Sequence, residues 1–250
     1  MSYRFATTAA NYADLASGSV LQSAPGHPAF PVRLASEMFQ RGCAAAGMSG
    51  PVTVWDPCCG SGYLLTVLGF QHRERLSAAI GSDIDENAVA LARRNFSLLT
   101  ADGLRARTAE LSDLATRFGK PSHAGAVEAA GRLTRRLTAG GGDLLSSANV
   151  ADALDPVQLA VALGGNRPQV VLTDVPYGEQ TVWQGDQADA GIAGMLTAVA
   201  AVLPPEAVIV VAVRGRKVPL DNLRPIEKFR VGTRAVALLR AGEIGSGRGR

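Results

Sequence analysis

The chain has 250 residues, of which 47% are hydrophobic and 19% charged, and its 25 basic and 22 acidic side chains give a net charge of +3. This composition indicates a globular protein with an ample core, and the mild charge does not by itself indicate a nucleic-acid partner. The three cysteines do not form the pattern of a disulfide framework, and the N-terminus lacks the apolar stretch of a signal peptide, so we expect a cytoplasmic protein. The most apolar run, 207–213, is shorter than the about 20 residues that a membrane span needs, so we expect no membrane partner.

The hydrophobic pattern predicts strands and helices in alternation. After an irregular N-terminal stretch, the predicted elements are, in chain order, helix 32–41, a strand following Pro51, helix 63–70, strand 77–82, helix 87–99, helices 106–118 and 124–137, strand 147–150, helix 156–163, strand 169–173, helix 191–202, strand 207–213 and a hairpin of strands 228–231 and 234–240. Such alternation requires parallel strands joined by crossover helices. We therefore predict the α/β class, with a Rossmann-like, seven-stranded, mostly parallel sheet and helices on both faces.

The segment from 102 to 142 is longer than a crossover needs, and a loop of that length without secondary structure is uncommon in a compact domain. Leu111 and Leu114 share one apolar helix face, and Leu133 and Leu137 share another. We therefore predict a helical hairpin inserted into the fold at about 103–142.

The first strand ends in Asp56 and leads into a glycine turn, Gly60-Ser-Gly62. Glycines allow a backbone to approach a ligand where a side chain would collide. A carboxylate stands where a dinucleotide-binding turn would hold a pyrophosphate, and Leu65 replaces the third glycine of that fingerprint. The turn therefore favours a ligand with positively charged groups over a dinucleotide.

Acidic residues also follow the later strands. In nucleotide-binding folds the acid at the end of the second strand binds the ribose hydroxyls, which is the role we predict for Asp83. Asp85 is suited to cap the next helix. Asp152 and Asp174 follow two further strands, and ligands bind at the carboxyl ends of parallel strands, here at the switch point between the first and fourth.

The Asp-x-x-x-Gly-x-Gly turn, the Gly-Ser-Asp-Ile-Asp strand end and the Asp174-Val-Pro-Tyr-Gly178 loop resemble, in this order, the motifs of class I S-adenosylmethionine (SAM)-dependent methyltransferases. The last motif resembles the Asn/Asp-Pro-Pro-Tyr loop of enzymes that methylate base nitrogens in DNA and RNA. With its Gly-His-Pro-Ala-Phe-Pro-Val-Arg segment, the whole chain resembles the actinomycete family of avilamycin-resistance 23S rRNA guanine methyltransferases.

The resemblance implies S-adenosyl-L-methionine as the cofactor and a division into an N-terminal covering segment and helix (1–50), a methyltransferase domain (51–243) and a flexible tail (244–250). Asp155, which precedes Pro156, is a candidate for the N-cap of the following helix. The resemblance implies that Asp56, beside Gly60 and Gly62, binds the methionine ammonium of the cofactor. It also implies contacts of Asp83 with the ribose, Ile84 with the adenine face and Asp152 with the adenine amine. Arg33, in the helix that follows Pro31, would lie at the methionine end.

The implied catalytic residues are Asp174, Pro176 and Tyr177. Tyr177 would stack on an extruded base, and Asp174 would accept the proton of guanine N1, the favoured target. Val175 stands where the family usually has proline, so the exocyclic N2 stays an alternative. Cytosine-C5 enzymes carry cysteine at the position of Tyr177, which argues against that chemistry. We predict no metal site, since the adjacent Cys58 and Cys59 have poor geometry for chelation.

Two basic clusters are candidates for contacts with RNA phosphates, although such clusters are more often a solvated surface. The clusters are Arg214, Arg216 and Lys217 after the fifth strand, and Arg132, Arg135 and Arg136 on the inserted hairpin. The resemblance implies that 23S rRNA or the large ribosomal subunit is the substrate and that methylation confers antibiotic resistance. The sequence shows no exposed apolar stripe that requires a partner, so we expect a monomer. A protein or small-molecule N-methyltransferase and a non-catalytic RNA-binding protein stay open as alternatives.

Overall fold

The computed structural model describes residues 3–8, 10–24, 29–175 and 188–244. The helices are α1 (Ala13–Ala16), α2 (Val32–Ala45), α3 (Tyr63–Gln71), α4 (Glu86–Ser97), α5 (Ala101–Phe118), α6 (Pro121–Ala139), α7 (Pro156–Leu163), α8 (Gly191–Ala201) and α9 (Ala241–Ile244). The strands are β1 (Val52–Asp56), β2 (Leu76–Asp83), β3 (Leu145–Val150), β4 (Val170–Asp174), β5 (Val208–Arg214), β6 (Glu227–Val231) and β7 (Arg234–Arg240). Short 3-10 turns cover Arg73–Arg75 and Ala188–Ala190. None of the described helices is long and apolar enough to cross a membrane.

The strands form one seven-stranded sheet in the order β3-β2-β1-β4-β5-β7-β6. Strands β1 to β5 are parallel, β7 is antiparallel to β5, and β6 is antiparallel to β7. The predicted mostly parallel sheet is therefore confirmed. Strand β1 pairs with β2 on one side and β4 on the other, so the chain reverses its direction of winding between β1 and β4.

Helices cover both faces of the sheet, because alternate side chains of each buried strand enter different cores. Helices α2 to α6 contribute to one core and α7 to α9 to the other. Strand β5 shows the alternation, with Val208, Val210 and Ala212 in the first core and Ile209, Val211 and Val213 in the second.

The inserted hairpin is present as α5 and α6, and both helices begin earlier than predicted. Helix α5 begins at Ala101 because the hydroxyl of Thr100 accepts a hydrogen bond from the Gly103 N–H at 3.1 Å. Helix α6 begins at Pro121, a residue suited to the first helical position. Strand β3 also begins two residues earlier, since Leu145 pairs with Ala78 of β2, and the short helix α1 was not predicted.

The inserted hairpin holds the N-terminal segment, which we define as residues 3–8 and 10–24, against the fold. Arg132 of α6 donates from Nε and Nη2 to the two carboxylate oxygens of Asp14, at 2.8 and 2.7 Å. Arg107 of α5 donates to the Val20 carbonyl at 3.0 Å. The hairpin therefore stabilises the position of the N-terminal segment, a structural role that requires no ligand.

A buried carboxylate on α2 fastens the start of this segment. The side chain of Glu37 is fully buried and accepts hydrogen bonds from the N–H groups of Arg4, Phe5 and Ala6, at 2.6, 2.9 and 2.8 Å. Arg41, one turn further along α2, donates to it at 2.7 Å and also pairs with Glu227 of β6. Burial raises the pKa of Glu37, but these donors lower it by more, so the group stays ionised.

We expect Glu37→Ala to destabilise the protein by about 3 kcal/mol, because three N–H groups lose their acceptor and the buried Arg41 loses a counterion. Chemical denaturation of the variant measures the loss. The control is Glu128→Ala, which removes an exposed carboxylate that lies 3.7 Å from Arg132. Equal stability of the two variants would contradict the role assigned to Glu37.

Candidate active site at the carboxyl edge of the sheet

Three acidic side chains meet where parallel strands end. Asp56 ends β1, Asp83 ends β2 and Asp174 ends β4, and β1 lies between the other two strands. Their carboxylates are close enough for Asp83 and Asp174 both to raise the pKa of Asp56. The structure therefore brings together three of the predicted site residues.

Asp56 is the most deeply buried of the three, with 2% of its surface exposed. Its Oδ1 accepts a hydrogen bond from the Cys58 N–H at 3.1 Å. Burial, followed by repulsion from Asp83 and Asp174, raises its pKa to about 8. A cationic group beside Asp56 would favour the carboxylate form, so this edge of the sheet suits a positively charged ligand.

The glycine turn is built around two left-handed residues, Gly60 at φ 51° and Gly62 at φ 71°. The Gly60 N–H donates to Oδ2 of Asp83 at 2.8 Å, which ties the turn to the end of β2. A Cβ atom on Gly62 would lie 2.8 Å from the Phe96 ring and 3.0 Å from the Ala92 Cβ of α4. Gly62 is therefore required for close packing on α4, a reason that the motif did not indicate.

Asp83 and Asp85, at the carboxyl end of β2, have different hydrogen-bond partners. Asp85 caps α4 by accepting a hydrogen bond from the Asn87 N–H at 2.8 Å. Asp83 accepts one from the Asp85 N–H at 3.1 Å in addition to that from Gly60. Ile84 is partly exposed between them, as a residue that contacts a base would have to be.

Of the two neighbouring acids Asp152 and Asp155, it is Asp155 that caps α7. Asp155 accepts hydrogen bonds from the N–H groups of Val157 and Gln158, at 2.8 and 3.3 Å, and is therefore the helix cap. Asp152 precedes it, accepts from the Leu154 N–H at 2.9 Å and is partly exposed. Its charge also raises the pKa of Cys58, after the larger effect of burial, so it faces the same edge of the sheet.

Asp174 pairs with a residue that sequence reasoning missed. Arg234, the first residue of β7, donates from Nη1 to Oδ1 of Asp174 at 3.2 Å. Burial raises the pKa of Asp174 to about 6, and Arg234 opposes that rise. The sequence indicated only that Arg234 begins the second strand of the closing hairpin. In the structure this strand pairs with β5, which places Arg234 opposite Arg214. Pro176 and Tyr177 lie outside the described residues.

Arg33 contacts the N-terminal segment. It donates to the carbonyls of Ala6 and Thr7, at 2.7 and 2.9 Å, and its guanidinium lies 3.9 Å from the centre of the Tyr3 ring. Its predicted place at the methionine end of a cofactor stays a prediction.

The structure separates the two basic clusters. Arg214, the last residue of β5, and Arg216 and Lys217, which follow it, are exposed at the same edge of the sheet as Asp174. Arg136 lies instead close enough to His72 to help lower the pKa of that residue, whose main cause is burial, and His72 precedes the amino end of β2. Arg132 is engaged by Asp14, and Arg135 is exposed.

Burial raises the pKa of both Cys58 and Cys59 well above that of a free thiol, so neither is an activated nucleophile. Cys59 packs against Gly81 of β2, where an added Cβ would lie 2.9 Å from its sulfur. Within the described ranges, no three His, Cys, Asp or Glu side chains form a group that could hold a metal ion. The described site therefore offers carboxylates and a guanidinium as its reactive groups.

Comparison with known proteins agrees with this geometry. The family described as rRNA methyltransferase AviRa matches residues 1–234. The 23S rRNA (guanine(2535)-N(1))-methyltransferase of Streptomyces viridochromogenes is 50% identical over 242 residues, which cover 97% of each chain. Two solved structures of the rRNA methyltransferase aviRa from that organism are 48% identical, with TM-scores of 0.93 and 0.91 and coverage of 100% and 98% of both chains. The chain belongs to the AviRa family of rRNA methyltransferases.

Proposed function

We propose that this protein transfers a methyl group from SAM to N1 of a guanine in 23S rRNA. The observation that carries the proposal is Asp174, a largely buried carboxyl group with a pKa of about 6 at the carboxyl edge of the sheet. Guanine N1 carries a proton that must leave, and a carboxylate with this pKa is ionised at neutral pH and able to accept it. The exocyclic N2 needs no such base, and the relative that is 50% identical is named as an N1 enzyme.

The acidic edge of the sheet supports SAM as the methyl donor. When bound, SAM supplies a methyl group on a positively charged sulfonium, together with an ammonium group. Asp56 would hold the ammonium beside the glycine turn, Asp83 the ribose hydroxyls and Asp152 the adenine amine. The raised pKa of Asp56 fits this assignment, because a buried carboxylate flanked by two acids is stabilised by a cation.

Catalysis would rest on the position of the target base. The N1 atom must lie in line with the methyl group while Asp174 receives the N1 proton, and holding reactants in that geometry supplies most of the rate. Tyr177, whose role stays a prediction from the sequence, would stack on the extruded base. The exposed cluster Arg214, Arg216 and Lys217 would contact RNA phosphates beside this site.

The biological consequence follows from the product. A methyl group on a base that a ribosome-targeting antibiotic contacts would remove that contact, so the modified ribosomes would be resistant. Ribosomal RNA as substrate places the proposed activity in the cytoplasm.

The test is transfer of labelled methyl from SAM to free 23S rRNA, to large subunits and to ribosomal proteins, followed by mass spectrometry of the nucleosides. We expect N1-methylguanosine from the wild type and a rate lower by about 100-fold or more for Asp174→Asn, which cannot accept the proton. Asp113→Asn, at an exposed acid of α5, is the control. Label only in protein, or N2-methylguanosine as the product, would contradict the proposal.

The affinity for SAM should depend on pH through Asp56. Below its pKa of about 8, the unliganded group carries a proton that a bound cation displaces. Binding should therefore strengthen as the pH rises from 6 to 8, by up to roughly tenfold per unit, and then level off. Isothermal titration calorimetry in several buffers measures the released proton. The amino group of SAM titrates near the same pH, so Asp56→Asn is measured over the same range. Equal proton release by both proteins would remove Asp56 from the ammonium site.

The two basic clusters predict different responses to salt. Removing phosphate contacts with Arg214→Ala and Arg216→Ala should flatten the slope of log affinity against log salt concentration by about 1 to 2. The matched comparison is Arg135→Ala with Arg136→Ala on α6, which should leave the slope near that of the wild type. A reversed result would place the RNA on the inserted hairpin.

A further inference from the structure

We propose that Arg234 determines the specificity for guanine, by binding O6 of the target base while Asp174 binds N1–H. This inference rests on the proposed function and adds a residue that neither the motifs nor the names of the relatives indicate.

Arg234 reaches Asp174 across an intervening strand. The sheet order is β4-β5-β7, so the side chain of Arg234 extends from β7 past the end of β5 to the end of β4. It is 15% exposed and Asp174 is 29% exposed, so the pair is largely shielded but opens to solvent on one side. A guanidinium held there costs desolvation, which an exposed arginine would avoid.

The guanidinium is also held in place from behind. It lies 4.8 Å from the centre of the Phe30 ring, a cation–π distance, and Phe30 is 5% exposed. Of the five N–H donors that a guanidinium carries, the hydrogen bonds between described residues use one, which bonds Asp174. The arrangement therefore presents a fixed acceptor beside fixed donors.

This order of groups complements the pairing edge of guanine. Guanine carries a donor, N1–H, next to an acceptor, O6, and arginine is the common ligand of that oxygen. Adenine carries the opposite order, with an acceptor at N1 and a donor amine at C6. The pair of Asp174 and Arg234 therefore accepts guanine and opposes adenine at both positions.

Arg234 would also act on the reaction itself. As the N1 proton moves to Asp174, negative charge develops on N1 and O6, and a preorganised cation beside O6 stabilises that charge. The N1 lone pair then forms the new N–C bond to the methyl carbon, and the electron pair of the broken C–S bond stays on sulfur. The products are a neutral N1-methylguanine, a neutral thioether and a protonated Asp174.

The surrounding charges predict how the pH dependence responds. Among the described ionisable groups, Arg234 from β7 and Asp56 from β1 interact electrostatically with Asp174, and Arg214, at the end of the intervening strand β5, is exposed and pairs with Arg234 in the sheet. Arg234 lowers the pKa of Asp174, so its removal must raise that pKa further. The acidic limb of the rate profile should then move to higher pH.

The test compares Arg234→Gln, Arg234→Lys and the control Arg230→Gln, an exposed arginine of the neighbouring strand β6. Single-turnover methylation of 23S rRNA is measured from pH 5.5 to 9, with SAM affinity measured separately. For Arg234→Gln we expect a rate lower by about 100-fold, an acidic limb at higher pH, partial recovery at high pH and unchanged SAM affinity. A transcript with adenosine at the target position should lose the part of its disadvantage relative to guanosine that Arg234 imposes at C6, while the part that Asp174 imposes at N1 stays.

A loss that is the same at every pH would overturn the inference, because a merely structural role predicts it. Wild-type activity of Arg234→Gln alongside an inactive Asp174→Asn would overturn it while leaving the proposed function intact. No methylation of rRNA by the wild type would instead overturn the proposed function. If Arg234→Gln fails to fold, Arg234→Lys decides, since its retained charge should keep the acidic limb in place, and a shifted limb would count against the inference.

Discussion

The burial of one carboxyl group, Asp56, at the end of the central strand constrains this whole edge of the molecule. Strand β1 lies between β2 and β4, so the acids that end those strands, Asp83 and Asp174, necessarily flank it. Three carboxylates in so small a space repel one another, and the burial that brings them together also removes the water that would screen them. The site at the switch point of the sheet therefore favours a positively charged ligand.

Helix α2 connects this site to distant parts of the chain. Its residue Glu37 binds the first residues of the N-terminal segment, and Arg41 bridges Glu37 to Glu227 of β6. Just before the helix, Phe30 lies against Arg234 of β7. The helix therefore joins the N-terminal segment to the closing hairpin of β6 and β7, which carries the guanidinium beside Asp174. The fixed position of the Arg234 guanidinium beside Asp174 therefore depends on these contacts.

Local patterns in the sequence were sufficient to predict the sheet, the inserted hairpin and the acids at the strand ends, because these depend on periodicity and on the geometry of parallel strands. Contacts between distant residues were not predictable in this way. The pairing of Arg234 with Asp174 spans 60 positions, and that of Arg132 with Asp14 spans 118. For this reason Arg132 was a candidate RNA ligand in the sequence, whereas the structure pairs it with Asp14. The packing of Gly62 on Ala92 was hidden for the same reason, since a motif shows the turn but not its neighbour.

The docking of the N-terminal segment has a consequence for the order of events during synthesis. The N-terminal segment is translated before its partners: Arg132, which binds Asp14, follows it by 118 residues, and Glu227 of β6, which pairs with Arg41, follows Arg41 by 186 residues. Long-range contacts of this kind form late, after the entropy of closing long loops has been overcome. The N-terminal segment is thus among the last parts of the fold to reach its place, although it precedes all of these partners in the chain.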